Sequence, residues 1–195
     1  ISTAWNWALE RDMLQFENPC KVVKRNKEES RTRYATDEEY QMAYDLIKGS
    51  PYLRPAMELA YLCRMRKSEI LNATRAQILE EGFDTKRIKN SKDAITLWSD
   101  RLREAVNYSA GDVKSMYIIH NKKGQKITVS AFNSAWTRLK LRMKEAGMED
   151  PFNFHDIKAR GVSNFKGDKL KASGHKDAKM LKVYDRKKII VEATE

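Results

Sequence analysis

Little in this sequence could cross-link the chain or hold a metal ion. Two cysteines, Cys20 and Cys63, stand among 195 residues. They cannot form a disulfide framework and neither belongs to a C-x-x-C pair, so a reducing setting is expected. The three histidines, His120, His155 and His175, do not pair with one another or with cysteine at metal-ligand spacing. The eight glycines form neither G-x-x-x-x-G-K-[ST] nor G-x-G-x-x-G, which removes the common nucleotide-binding loops. No dense Asp/Glu cluster suggests a two-metal nuclease centre. No metal and no cofactor is therefore expected. No run approaches the roughly 20 apolar residues of a membrane helix, so no membrane partner is expected. The opening residues do not read as a secretory signal. Ile1 in first place, where a complete chain has Met, suggests a piece of a longer protein.

Positive charge is abundant. Lys and Arg number 38 against 27 Asp and Glu, a formal charge of +11. Clustered Lys and Arg release counterions from phosphates, so a polyanion is the expected partner class. Hydrophobic residues at 41% suffice for a core. The length fits one domain, or one domain with part of a neighbour.

Residues 3–16 read as a helix with Trp5, Ala8, Leu9 and Met13 on one side, ended by Asn18-Pro19. Lys21 to Arg33 is basic and lacks apolar periodicity, which reads as a linker. Lys21, Lys24 and Arg25 are its candidate phosphate contacts, lying either on a solvated tether or on a strap along a phosphate backbone. Thr36 and Glu39 form a capping box ahead of a helix with Tyr40, Ala43, Tyr44 and Ile47 at helical spacing. Gly49-Ser50-Pro51 breaks it, and Ala56, Leu59, Ala60 and Cys63 mark the next apolar face. A short helix from Ser68 follows. The period then changes, and Phe83–Ile88 and Ala94–Trp98 read as two strands joined through Asn90-Ser91. Ser99 is expected to cap a helix with Leu102 and Val106 inward, Met116–Ile119 to form a short buried segment, and Ser130 to cap a strong helix carrying Phe132, Trp136, Leu139 and Met143. Short helices are expected in the last 40 residues. The predicted fold is mainly α with a small antiparallel β-sheet, an α+β class.

Four segments carry chemistry. In Cys63-Arg64-Met65-Arg66-Lys67-Ser68-Glu69-Ile70, Arg66 can grip a phosphate with two donors while Glu69 orients it. In Arg87-Ile88-Lys89-Asn90-Ser91-Lys92, alternation puts Arg87 and Lys89 on one face, Lys92 lies beyond the turn, and Arg87 and Lys92 are candidate contacts to nucleic acid. A lysine there can enter a DNA groove and protonate a leaving oxygen. In His155-Asp156-Ile157-Lys158-Ala159-Arg160, His155 and Lys158 share a helix face, whereas Arg160 points away and Asp156 reads as a helix-start acid without chemical importance. The fourth segment is Gly174-His175 with Tyr184 nine residues after the histidine. A nucleophilic tyrosine needs a base or nearby cations, because its pKa is near 10.

In this order the four segments resemble the catalytic domain of tyrosine recombinases, the phage integrase family. The resemblance covers about residues 34–187. The family's first arginine box, T-G-x-R-x-x-E-[IL], is matched at residues 63–70, with Arg64 in place of the usual Gly. Its H-x-x-R box is matched at His155, with Lys158 in place of the second arginine; its G-H…Y box is matched at Gly174, His175 and Tyr184. The resemblance implies Arg66, Lys89, His155, Lys158, His175 and Tyr184 as catalytic residues and Glu69 as a supporting acid. It implies residues 1–17 as the last helix of a truncated core-binding domain, 18–33 as a linker and 34–195 as the catalytic domain. It further implies cleavage and rejoining of DNA through a 3′-phosphotyrosine. The expected partners are double-stranded DNA attachment sites, a homotetramer on that DNA and DNA-bending accessory proteins. The expected location is the cytoplasm of a bacterial or phage-infected cell, on the nucleoid. Ile189-Ile190-Val191 either docks on its own sheet or packs on a neighbouring protomer. Integration or excision of a phage genome is the leading use. The alternatives are a dimer resolvase or transposon recombinase, and a DNA-binding relative inactivated by Lys158.

Overall fold

The structure is a computed structural model that describes residues 1–24, 26, 31–47, 50–88, 92–108, 113–174 and 177–187. The chain divides into two units, Ile1–Arg31 and Thr32–Glu195.

The first unit holds one helix, α1 (Ser2–Leu9), which is shorter than its apolar pattern predicts. The chain reverses at Asp12, whose φ is 54°. The Met13 amide then returns to the Ala8 carbonyl at 3.0 Å and closes the helix end. Asn18, buried inside this return, donates to Ser2 Oγ at 2.9 Å and Asn6 Oδ1 at 2.6 Å and accepts from the Cys20 amide at 2.9 Å. The expected break at Asn18-Pro19 is thus a 3-10 turn, Pro19–Lys21, that Asn18 itself caps.

The second unit begins as its sequence predicts. Thr36 accepts from the Glu39 amide, Glu39 accepts from the Thr36 amide, and α2 (Asp37–Leu46) follows. The apolar helix α3 (Leu53–Leu62) runs through the centre, with Ala56, Met57, Leu59 and Ala60 fully buried. Cys63 at its end is buried too, as expected. A short α4 (Lys67–Leu71) precedes β1 (Gly82–Thr85) and β2 (Ala94–Leu97), which pair antiparallel with Gly82 opposite Leu97 and Thr85 opposite Ala94. Both strands lie inside the predicted segments apart from Gly82, and β1 stops three residues short of Ile88; the Asn90-Ser91 joint falls outside the described residues.

Ser99 caps α5 (Asp100–Asn107) through the Leu102 amide, with Leu102 and Val106 inward. Ile118 and Ile119 are buried beside an isolated bridge between Thr74 and Tyr117. The strong helix α6 (Val129–Glu145) is capped by Thr128, through the Ala131 amide at 3.1 Å, and not by Ser130, which lies within its first turn. Three short helices close the unit: α7 (Phe154–Asn164), α8 (Lys169–Ser173) and α9 (Ala178–Tyr184).

Two packing features fix α7, which carries much of the site. Phe132 and Trp136 of α6 meet Phe154 edge-on at 4.9 and 5.0 Å between ring centroids, anchoring the helix start. Farther along, Gly161 lets α7 lie directly on α3: a Cβ there would stand 2.2 Å from the Tyr61 carbonyl oxygen.

Candidate active site

The end of α3 turns sharply into α4 through Arg64, whose φ is 53°. This is the left-handed region that glycine enters freely and other residues enter at a cost of roughly 1–2 kcal/mol. The Arg64 side chain offsets that cost with contacts a glycine lacks. Its Nε donates to the Ala172 carbonyl at 3.1 Å, and its guanidinium stacks 4.7 Å from the Phe165 ring centre. The turn therefore keeps its shape and gains a tie to α8.

The turn delivers Arg66 to the N-cap of α4. Glu69, one turn later, has a fully buried carboxylate. It accepts from the Arg66 amide at 2.7 Å and from Arg66 Nη1 at 2.8 Å. Burial pushes the Glu69 carboxyl upward, but these bonds and the nearby Arg87 outweigh it and hold the acid below its usual range. Glu69 is thus an anion bonded to both the backbone and the guanidinium of Arg66.

Arg87 departs from expectation. Its side chain is fully buried, so it does not offer a guanidinium to a DNA phosphate. It donates instead to the Cys63 carbonyl at 3.0 Å, the Arg64 carbonyl at 2.8 Å, the Ala172 carbonyl at 3.3 Å and Glu69 Oε2 at 3.2 Å. The guanidinium fork is used to join the α3 end, α4 and α8. Strand alternation does not reach it, because β1 ends at Thr85.

On α7, His155 and Lys158 sit one turn apart. His155 Nε2 lies 2.9 Å from the Tyr184 hydroxyl, and the two rings meet edge-on at 5.4 Å. Burial, followed by the charge of Lys158, pushes the imidazole below its ordinary 6.5. The contact thus pairs a mostly neutral imidazole with a phenol, and with Nε2 as acceptor the hydroxyl donates. Lys158 is fully buried, its Nζ has no hydrogen-bond partner among the described residues, and it lies 5.3 Å from the Tyr184 ring centre. Burial first, then Arg87 and Arg66, lower the amine from 10.5 to about 7.

Tyr184, the last residue of α9, packs with Ala159 and Val162 of α7. Gly174 takes φ 71° at the end of α8, and a Cβ there would stand 3.0 Å from the Lys92 carbonyl oxygen, so the hairpin's return comes close to that turn. Lys92 itself is exposed. Lys89, His175 and Arg25 lie outside the described residues. Lys21 and Lys24 are exposed in the first unit.

Arg160 faces away from this centre, as the helical geometry predicts. It donates to the Ala35 carbonyl at 2.7 Å, pairs with Asp37 and stacks on Tyr40 and Tyr61. Asp156 is the helix-start acid expected, capping α7 through the Asn153 amide, and its carboxylate, 1% exposed, has a second partner in Arg186 Nη1 at 2.7 Å. That pair joins residues 30 apart, which helical periodicity cannot foresee.

Among the described residues no group of three or more His, Cys, Asp or Glu could hold a metal ion, and no helix is long and apolar enough to cross a membrane. The mostly helical fold with its small two-strand antiparallel sheet matches the catalytic-domain fold of tyrosine recombinases. The phage integrase family model matches residues 33–189, and the chain belongs to that family.

Among solved structures the chain is similar to a lambda integrase dimer bound to a COC′ core site, at 19% identity and a TM-score of 0.74, covering 99% of this chain and 60% of that one. It is similar to a lambda integrase tetramer bound to a Holliday junction, at 19% identity and TM-score 0.68, covering 90% and 56%. The Tn1549 transposon integrase with circular intermediate DNA matches at 13% identity and TM-score 0.64, covering 99% and 72%. The chain thus spans 60% of the first of these proteins. No curated protein sequence matches it.

Proposed function

We propose that this chain is the catalytic part of a site-specific DNA recombinase in which Tyr184 is the nucleophile. The observation that carries this reading is the 2.9 Å contact between the Tyr184 hydroxyl and His155 Nε2, beside a buried lysine and the Glu69-oriented Arg66.

The Tyr184 oxygen attacks a DNA phosphorus while His155 Nε2 takes the phenolic proton. A tyrosyl–phosphorus bond forms, the bond from phosphorus to the 5′ oxygen breaks, and Lys89 supplies the proton that this oxygen needs. Arg66, Lys158 and His175 balance charge on the non-bridging oxygens. One phosphodiester is exchanged for another, so the bond energy stays in the 3′-phosphotyrosine. Attack by a 5′-hydroxyl from a second strand reverses the step and completes exchange.

Two duplexes present four strands, so the assembly is a homotetramer on double-stranded attachment sites, with DNA-bending proteins assisting. The first unit is the end of a core-binding domain, and Lys21, Lys24, Arg25 and Lys92 contact the DNA backbone. The use is integration or excision of a phage genome, supported by the order of the sequence boxes and the basic segment that precedes them.

Covalent trapping tests the reaction. The protein is incubated with a nicked attachment-site duplex and run on a denaturing gel beside Tyr184→Phe. An adduct that the substitution abolishes, with binding retained, is the expected result. Binding without an adduct, from a chain that includes its full core-binding domain, would overturn the catalytic reading in favour of a DNA-binding relative.

A further inference from the structure

The chain segment carrying Tyr184 is held by a cluster that the proposed chemistry does not use. Arg186, two residues beyond the tyrosine, has a side chain only 5% exposed. Its Nη1 donates to Asp156 Oδ1 at 2.7 Å and to the Arg33 carbonyl at 2.8 Å, and its Nε donates to the Val183 carbonyl at 2.9 Å. Its backbone amide donates to Ser163 Oγ at 2.7 Å, and that hydroxyl donates to the Tyr184 carbonyl at 3.0 Å.

Asp156 and Ser163 belong to α7, the helix that also carries His155. The chain at and just beyond the tyrosine is thus tied to its base's helix at two residues, Asp156 and Ser163. Arg33 lies at the start of the second unit and is fixed there by Glu39 and Asp150. A short helix such as α9, seven residues long, has little stability of its own, so ties of this kind decide where its last side chain sits.

We propose that Arg186 is a positioning residue for the nucleophile, and that its ion pair with Asp156 sets the distance between Tyr184 and His155. This rests on the catalytic reading above. This buried ion pair is directional, because the guanidinium fork serves an acceptor on α7, one on α9 and one on the entering chain together. Lysine in its place keeps the charge and cannot serve all three.

The test first reads the contact without DNA. The eight tyrosines are labelled as 3-fluorotyrosine, and Tyr184→Phe assigns the Tyr184 resonance. In Arg186→Gln and in Asp156→Asn, which is nearly isosteric, that resonance is expected to move to the position of free fluorotyrosine while the other tyrosines hold theirs. Arg186→Lys is expected to fall between. A Tyr184 resonance unmoved in both variants overturns the proposal. Collapse of every resonance in both also overturns it, since the pair would then support the fold and not the tyrosine in particular.

The second readout is adduct formation on the nicked duplex. Displacement of the nucleophile by about 1 Å lowers such a rate on the order of 10²-fold. Arg186→Gln is expected to show that loss with unchanged DNA affinity, and Arg186→Lys to recover part of it. Unchanged adduct rates in Arg186→Gln overturn the proposal. If the wild-type protein forms no adduct, the catalytic reading fails while the fluorine result still decides whether Arg186 places Tyr184.

Discussion

Lys158→Met removes a fully buried amine from the site, and its effect can be worked out from that amine's lowered pKa. The amine is fully buried, and its pKa falls from 10.5 to about 7. In the unfolded chain it keeps its ordinary value. Between these limits the unfolded state binds more protons than the native state, so stability rises with pH across that window. Below about pH 7 the full cost of the buried charge is present. At about 1.4 kcal/mol per pH unit, that cost is about 5 kcal/mol at pH 6, about 4 at pH 7.5 and about 2 at pH 9. Methionine matches much of the lysine stem and carries no charge, so the variant escapes this cost. Urea denaturation of wild type and Lys158→Met at the three pH values is the assay. The variant's advantage should shrink by about 3 kcal/mol from pH 6 to pH 9. An advantage that stays flat over that range refutes the reasoning, because a fixed difference reports packing and not titration. In the proposed reaction the same variant should lose adduct formation by about 10²–10³-fold, since it lacks a cation assigned there to balance charge on the phosphate.

Arg87→Met should destabilise the protein by about 3–5 kcal/mol in the same urea assay, because it leaves the buried Glu69 with one partner fewer. Its side chain does not reach solvent, so the salt dependence of DNA binding by a folded fraction should be unchanged. Gly161→Ala should cost at least about 1–3 kcal/mol, seen as a lowered Tm, because its methyl group meets the Tyr61 carbonyl and pushes α7 from α3. Because burial and Lys158 hold His155 below 6.5, the rate of adduct formation should be lost with a midpoint below pH 6.5, and His155→Gln should remove that inflection from the profile.

Much of this protein was legible where a single element carries the signal. The Thr36–Glu39 cap, the apolar face of α3 and the shared face of His155 and Lys158 all follow from spacing along one helix. The departures share a different cause. Arg87 read as a nucleic-acid contact because strand alternation was extended past Thr85, where the strand ends, and burial of a charged residue is uncommon without partners. Its partners, the carbonyls of Cys63 and Ala172 among them, belong to segments distant in sequence. Asp156 read as a simple helix-start acid because Arg186 is 30 residues away. The Ser130 cap missed by two positions because Thr128 offers the same hydroxyl and the exposed Val129 gives no apolar signal. Local chemistry writes itself into the sequence; the three-way use of a guanidinium fork does not.

Two positions that depart from the family's boxes, Arg64 and Lys158, act on the same balance of charge. The charges acting on Lys158 are those of Arg87, Arg66 and Arg64 against Glu69, so positive charge exceeds negative around it. An arginine in place of Lys158 would be charged at every accessible pH and would add to that excess without relief. Lysine can shed its proton in the free protein and regain it when an anion arrives, because an adjacent phosphodiester favours the charged form. Arg64 is placed to contribute to the excess while its side chain remains engaged with Ala172 and Phe165, which leaves Arg66 as the guanidinium oriented by Glu69. Under the proposed reaction, capture of a phosphate carries proton uptake with it, and the anion is bound most tightly below the amine's own pKa, where the buried charge weakens the free protein most. Stability without DNA and affinity for DNA should therefore run in opposite directions as pH rises from 6 to 9.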